Sequence, residues 1–340
     1  MNNTLFLISI LLVVTACVTK QKESESGPVA EEADKIPVIF DTDANNELDD
    51  QHALAYLLFN GGTFDVRGVT VNATFNGGEI EEHVAEAKRI MELCIVADKI
   101  PLYSGANGDF ESIRNATNVP EYDGKEAVQF IIDESRKSRD RKLVLLPVGK
   151  LTNIALALEI APDIKDNVRI VWLGSNYPEP GEYNQINDIP SLNYILDQNV
   201  PFEMVMVRYG KPSGSDAVRV TPDDIEQNMP GVGPISDPVT GRHGNTFTNF
   251  GDYSVDLFRN AKMHGDPPSR PLFDMVAVAI VKNPSWGEGR AIPAPYLKGE
   301  KWVERPGNSR TVIIWENFDR KAILEDFYDI MRNPVIAERR

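Results

Sequence analysis

Through the first half of the chain, short runs rich in β-branched residues alternate with longer segments of helical period. Residues 38–40, 66–71, 143–146, 168–173 and 202–207 predict strands. Residues 50–60, 79–95, 124–135, 151–158 and 189–196 predict helices. In the second of these helices Val84, Ala87, Ile90, Met91 and Cys94 share one side. Strand and helix alternating at this interval predict an α/β fold in one domain. Its core is a mostly parallel, open, Rossmann-like sheet flanked by helices. Ligands of such sheets sit beyond the carboxyl ends of the strands.

The pattern breaks over 208–270, where Gly, Pro, Asp and Asn are frequent and turns dominate. Within it, 247–258 predicts a helix or a loop that covers a site. Residues 271–281 begin a buried helix, 296–312 predict short antiparallel strands, and 320–330 predict a last helix. No internal repeat and no linker interrupts the chain after residue 35.

The first residues follow other rules. Residues 5–14 form an apolar run too short to span a bilayer comfortably, and Thr15-Ala16-Cys17 follows it. Val14-Thr15-Ala16-Cys17 resembles a bacterial lipobox, although Met1-Asn2-Asn3-Thr4 lacks positive charge. The expected organisation is a lipoprotein signal over 1–17, a Lys-, Glu-, Ser- and Gly-rich tether over 18–35, and a folded domain over 36–340. The expected location is the cell envelope, facing the periplasm or outer membrane, with the membrane touched only through an N-terminal lipid. Cys94 is the only other cysteine, so no disulfide framework exists, and its apolar neighbours make it a buried structural thiol.

Charge narrows the partners. The chain carries a net charge of −16, which repels phosphate backbones and argues against nucleic-acid binding. The acids are not evenly spread. The segment 41–50, Asp-Thr-Asp-Ala-Asn-Asn-Glu-Leu-Asp-Asp, holds four aspartates and a glutamate with no basic residue, at the junction of the first strand and first helix. A single aspartate there would be an ordinary helix cap. Five acids need a positive partner, and a bound hard cation is the simplest one. No Cys/His cluster suggests zinc, and Lys150-Leu151-Thr152-Asn153 lacks the glycines of a phosphate loop.

Several segments, in order, carry a family resemblance. They are Asp41-Thr42-Asp43 with Asp49-Asp50, then 66–71, then 145–155 (Leu-Leu-Pro-Val-Gly-Lys-Leu-Thr-Asn-Ile-Ala). Glu182-Tyr183-Asn184 with Asp188, and Leu272-Phe273-Asp274, complete the set. The chain resembles the calcium-dependent nucleoside hydrolases of the inosine-uridine preferring group over about residues 36 to 335. The resemblance implies a Ca2+ held by Asp43, Asp50, Asp274 and the backbone carbonyl of Val148, with Asp43 also acting as general base. It implies that Asp49, Glu182 and Asn184 bind the sugar hydroxyls, with Asn76 and Asn176 as further sugar contacts. The implied reaction is direct displacement of the base from a ribonucleoside by water. Relatives often form dimers or tetramers, so a homo-oligomer is an implied partner state.

Two departures stand out. Five residues, Ala44 to Leu48, separate the second aspartate from the final pair, where the family usually has three. Asn46-Glu47-Leu48-Asp49-Asp50 resembles a distant group of the superfamily, and Glu47 either shapes the pocket or faces solvent. Phe273 stands where many members have a histidine that protonates the leaving base. His243 is the favoured replacement and His264 the second candidate. His52 faces pocket or core, and Tyr177, Tyr183 and Phe247 are candidates for stacking on a base. The alternatives to nucleoside hydrolysis are cleavage of another riboside or glycoside, and metal-dependent sugar binding without turnover.

Overall fold

The computed structural model describes residues 35–339. The leader expected over 1–17, and all of the tether except Lys35, lie outside the described residues. Among the described residues no helix is long and apolar enough to cross a membrane.

Six strands appear in chain order: β1 (Ile36–Thr42), β2 (Phe64–Val71), β3 (Leu102–Tyr103), β4 (Leu143–Pro147), β5 (Val168–Leu173) and β6 (Phe202–Val205). They lie in the order β3-β2-β1-β4-β5-β6, all parallel. This is the doubly wound order, and its reversal falls at β1, between β2 and β4. Two later strands extend the sheet beyond β6. Thr311–Glu316 pairs with β6 in parallel, and Glu288–Pro293 closes the edge antiparallel to it. The antiparallel pairing expected over 296–312 is present as a small hairpin of Tyr296–Lys298 and Lys301–Val303. The strand after it, Thr311–Glu316, lies between β6 and Glu288–Pro293, parallel to the first and antiparallel to the second, and buries Val312 and Ile314.

The strands read as continuous apolar runs because both faces are covered. Val38 and Phe40 join one core while Ile39 joins the other, and Val171 and Leu173 part from Ile170 and Trp172 in the same way. That alternation is the period of a pleated strand. Cys94 is fully buried at the end of helix Ile80–Leu93.

The segment 247–258 is helical in its main part, as Phe250–Asn260, capped by Asn249 through a 2.8 Å bond from Asp252 N–H. It packs on the core: Phe250 and Phe258 lie edge-on to His52. His52 therefore faces the core. Burial pushes its pKa down to about 4, and its Nε2 pairs with Ser254 Oγ at 2.7 Å. Phe247 packs against Tyr253, and Tyr177 against Trp302 and Glu304, so neither stacks in the site described below.

Candidate active site

The chain reversal at β1 opens a crevice at the carboxyl ends of β1, β2 and β4, and the acidic segment leaves β1 directly into it. Asp41, still in the strand, does not line the cavity. Its carboxylate accepts from Thr70 Oγ1 at 2.6 Å, Asn72 Nδ2 at 2.7 Å and Asn153 Nδ2 at 2.7 Å. It ties β1 to β2 and to helix Thr152–Ile160, a fixing role that its sequence position alone did not reveal. Burial lifts its pKa to about 6 against these three donors.

Asp43 is buried and faces the cavity, with Thr74 Oγ1 donating to its Oδ2 at 2.5 Å. Helix α1 (Asp49–Leu58) then starts with two acids in its first turn, where unpaired N–H groups favour negative charge. Thr42 Oγ1 orients Asp50 through a 2.5 Å bond. From far down the chain, helix Phe273–Lys282 packs against α1 and presents Asp274 in its own first turn. Ligand oxygens of Asp49, Asp50 and Asp274 lie within 4.8 Å of one another, so Asp49, expected on the sugar, stands with two expected metal ligands, and Asp43, expected as a third, lies outside that group. All three side chains are buried.

The electrostatics match that crowding. Burial first, then neighbouring carboxylates, push Asp50 and Asp274 well above the ordinary carboxylate range. Burial likewise lifts Asp49 to about 7 and Asp43 to about 6. The charges acting on Asp274 come from Asp49, Asp50, Asp43 and Glu182, all of one sign. An all-oxygen donor set of this density fits a hard divalent cation such as Ca2+, which takes about six to eight oxygens.

The cavity holds about 340 Å³, and Asp43, Asp49, Asp50, Val148, Glu182, Asn184 and Asp274 line it together. Asn184 Nδ2 donates to the Val148 carbonyl at 2.6 Å and to the Leu173 carbonyl at 3.2 Å, which uses one lone pair of the Val148 oxygen. Glu182 caps helix Tyr183–Asn187, accepting from Ser175, Asn184 and Gln185 N–H groups at 2.8–3.0 Å. Asn76 lies at the exposed rim, its N–H donating to Tyr183 Oη at 2.9 Å, and both residues line the cavity.

Two residues lie elsewhere. Asn176 does not line the cavity; it bonds the Pro180 carbonyl at 3.1 Å and accepts from Tyr209 N–H at 3.0 Å. A short turn at the end of β5 claims its amide. His243 sits in a neighbouring cleft, paired with Asp256 at 2.7 Å through Nδ1. His264 is the histidine that lines the main cavity, on a tight turn closed by its backbone bonds to Ser269. Phe273 also lines it, edge-on to Tyr209 at 5.8 Å. Glu47 is 44% exposed yet does not simply face water: its carboxylate pairs with Arg270. Sequence reading did not single out Tyr209, Asp216, Arg219 or Arg270. They come from the turn-rich segment, where a two-residue ribbon of Arg219–Val220 and Arg270–Pro271 carries no periodic signal.

Comparison with known proteins agrees with this geometry. Residues 38–323 match the model of the inosine-uridine preferring nucleoside hydrolases. The pyrimidine-specific ribonucleoside hydrolase RihB of Escherichia coli O1:K1 is 29% identical over 204 residues, which is 57% of this chain and 58% of that protein. The match thus spans little more than half the length of that curated relative. Among solved structures, the plant nucleoside hydrolase PpNRh1 superposes with a TM-score of 0.66 at 17% identity, covering 88% of this chain and 99% of that one. A purine-preferring ribonucleoside hydrolase from Gardnerella vaginalis gives a TM-score of 0.61 at 22% identity, covering 87% and 98%. These two share the fold. With the family model matched across nearly all of the described chain, and the aspartates of its two distant segments gathered in one cavity, the chain belongs to the inosine-uridine preferring nucleoside hydrolase family.

Proposed function

We propose that this protein is a calcium-dependent hydrolase of the N-glycosidic bond of ribonucleosides, releasing base and ribose. The observation that carries the proposal is the buried meeting of Asp49, Asp50 and Asp274 at the floor of a cavity of nucleoside size. Asp49, Asp50 and Asp274 would hold the cation, with Asp43 and the Val148 carbonyl beside them. The ion would supply a charge that lowers the pKa of the attacking water and orients it. The other steps belong to the chain. Asp43, fixed by Thr74, accepts the proton of the attacking water. Glu182 and Asn184, held by helix Tyr183–Asn187, orient the sugar. The ring of carboxylates favours the positive charge that grows on the ribose as the base leaves. The apolar run and Cys17 at the start of the sequence support a lipid-tethered place in the cell envelope, where such an enzyme would feed nucleoside uptake.

The test is release of free base from uridine and inosine, and of nitrophenolate from p-nitrophenyl riboside, with Ca2+ present or chelated. Release that needs Ca2+ supports the proposal. Riboside binding without release favours the sugar-binding alternative, and release only from other glycosides favours a different hydrolase.

The close approach of Gly149 gives a second test. A Cβ there would lie 2.7 Å from Asp43 Oδ1 and 2.9 Å from Asn72 Oδ1, an atom with no hydrogen-bond partner among the described residues. Gly149→Ala must therefore move Asp43. The expected result is a fall in kcat of about 10²-fold, in line with the cost of misplacing a reacting group by an ångström, with the circular dichroism spectrum unchanged.

A further inference from the structure

The two departures of this chain, the longer loop 44–48 and Phe273 in place of a histidine, meet at one place in the structure. Arg270 stands at the end of the ribbon that leads into helix Phe273–Lys282, four residues before Asp274. Its side chain is 10% exposed, lines the same cavity as the carboxylate cluster, and pairs with Glu47 of the longer loop. One guanidinium nitrogen donates to the Lys262 carbonyl at 3.1 Å, and Nε has no acceptor among the described residues. The loop is held to the same side of the cavity by Arg242, which donates to the carbonyls of Glu47 at 3.4 Å and Asn45 at 3.1 Å. The other cavity arginine, Arg219, is engaged by Asp216 at 2.7 Å and by Ser269 Oγ at 3.0 Å. Arg270 is thus a buried cation of the cavity wall, tied to the longer loop rather than to Glu182 or Asn184.

We infer that Arg270 is the leaving-group residue of this enzyme and that Glu47 is its positioning residue. The inference rests on the hydrolase reading above. A guanidinium cannot give up its proton near neutrality, so it acts by charge and hydrogen bonding. Water oxygen bonds to the anomeric carbon, the C–N bond breaks, and its electron pair stays with the base. The water's proton goes to Asp43. The departing base, an anion spread over its carbonyl oxygens, lies against Arg270 and afterwards takes a proton from solvent. The longer loop supplies the carboxylate that orients the guanidinium.

Three measurements on the Ca2+-loaded full-length protein test this. Arg270→Gln should lower kcat on uridine by roughly 10²-fold, the usual cost of losing one charge-stabilising donor, but lower it at least tenfold less on p-nitrophenyl riboside, whose phenolate leaves unaided. Arg270→Lys should recover part of the uridine rate. In wild type, kcat on uridine should hold level from about pH 7 to 9, because no acid of histidine type feeds the base. Equal losses on both substrates overturn the inference. So does a fall in rate with rising pH that His264→Ala removes, which would give protonation to His264. Turnover of the nitrophenyl substrate without uridine turnover by wild type overturns the inference and leaves the ribohydrolase reading standing. No release from either overturns both. If Arg270→Gln does not fold, the Arg270→Lys comparison and the wild-type pH profile decide.

Discussion

Calcium raises the thermal midpoint of the metal-free protein by roughly 5 °C at pH 8 and by much less at pH 5. A ligand that binds only the folded state at a hundredfold excess over Kd stabilises it by about 2.7 kcal/mol. In a domain of this size each kcal/mol moves the midpoint by roughly 2 °C. The pH dependence follows from the carboxylates. In the metal-free fold Asp43 and Asp49 titrate near about 6 and about 7, and Asp50 and Asp274 are pushed well up, all above the ordinary value for an unfolded chain. A raised folded-state pKa means that the folded state holds its protons more tightly than the unfolded one. The stability tied to those protons is full below about pH 4 and fades as pH rises through about 6 to 7. Without metal, scanning calorimetry should therefore show a lower midpoint at pH 8 than at pH 5. Calcium needs the ionised oxygens, so it restores stability where the protons have left. A midpoint that ignores calcium at pH 8 would mean that the cluster does not hold the ion.

The parts of this protein that sequence makes plain are those set by local rules. Strand-helix alternation shows β1, β2, β4, β5 and β6 because buried parallel strands are continuous β-branched runs, and the two-residue β3 escapes because it carries no pattern. The acids of 41–50 stand out because they crowd at one strand end. Their sorting does not. Asp41 ends up binding Thr70, Asn72 and Asn153, while Asp43 two residues later faces the cavity; in a continuous strand the two would share a face, and the end of β1 at Thr42 is what separates them. The far wall is hidden for another reason. Glu47 and Arg270 lie at opposite ends of the folded chain, and their pairing depends on how a turn-rich ribbon folds back over the sheet. His243 looked the better loop histidine by its glycine neighbours, but Asp256 of helix Phe250–Asn260 takes its Nδ1, and it lines another cleft.

Removing Asp43 and removing Asp274 should separate chemistry from metal binding. Asp274 belongs to the three carboxylates whose oxygens share one 4.8 Å neighbourhood, and it comes from a helix far along the chain that packs against α1. Asp274→Asn should abolish most of the calcium-dependent rise in thermal midpoint and reduce kcat to background. Asp43 lies beside that group, facing the cavity and held by Thr74, with Lys150 the nearest cation to oppose its neighbours. Asp43→Asn should keep at least half of the calcium-dependent rise while kcat falls by about 10³-fold, the scale of losing a positioned general base. Thr74→Ala then gives a graded case. It deletes the 2.5 Å bond to Asp43 without touching any carboxylate, so kcat should fall by about tenfold with the calcium response intact. If Asp43→Asn and Asp274→Asn lose the calcium response equally, Asp43 is a ligand first, and the proton of the attacking water must go elsewhere.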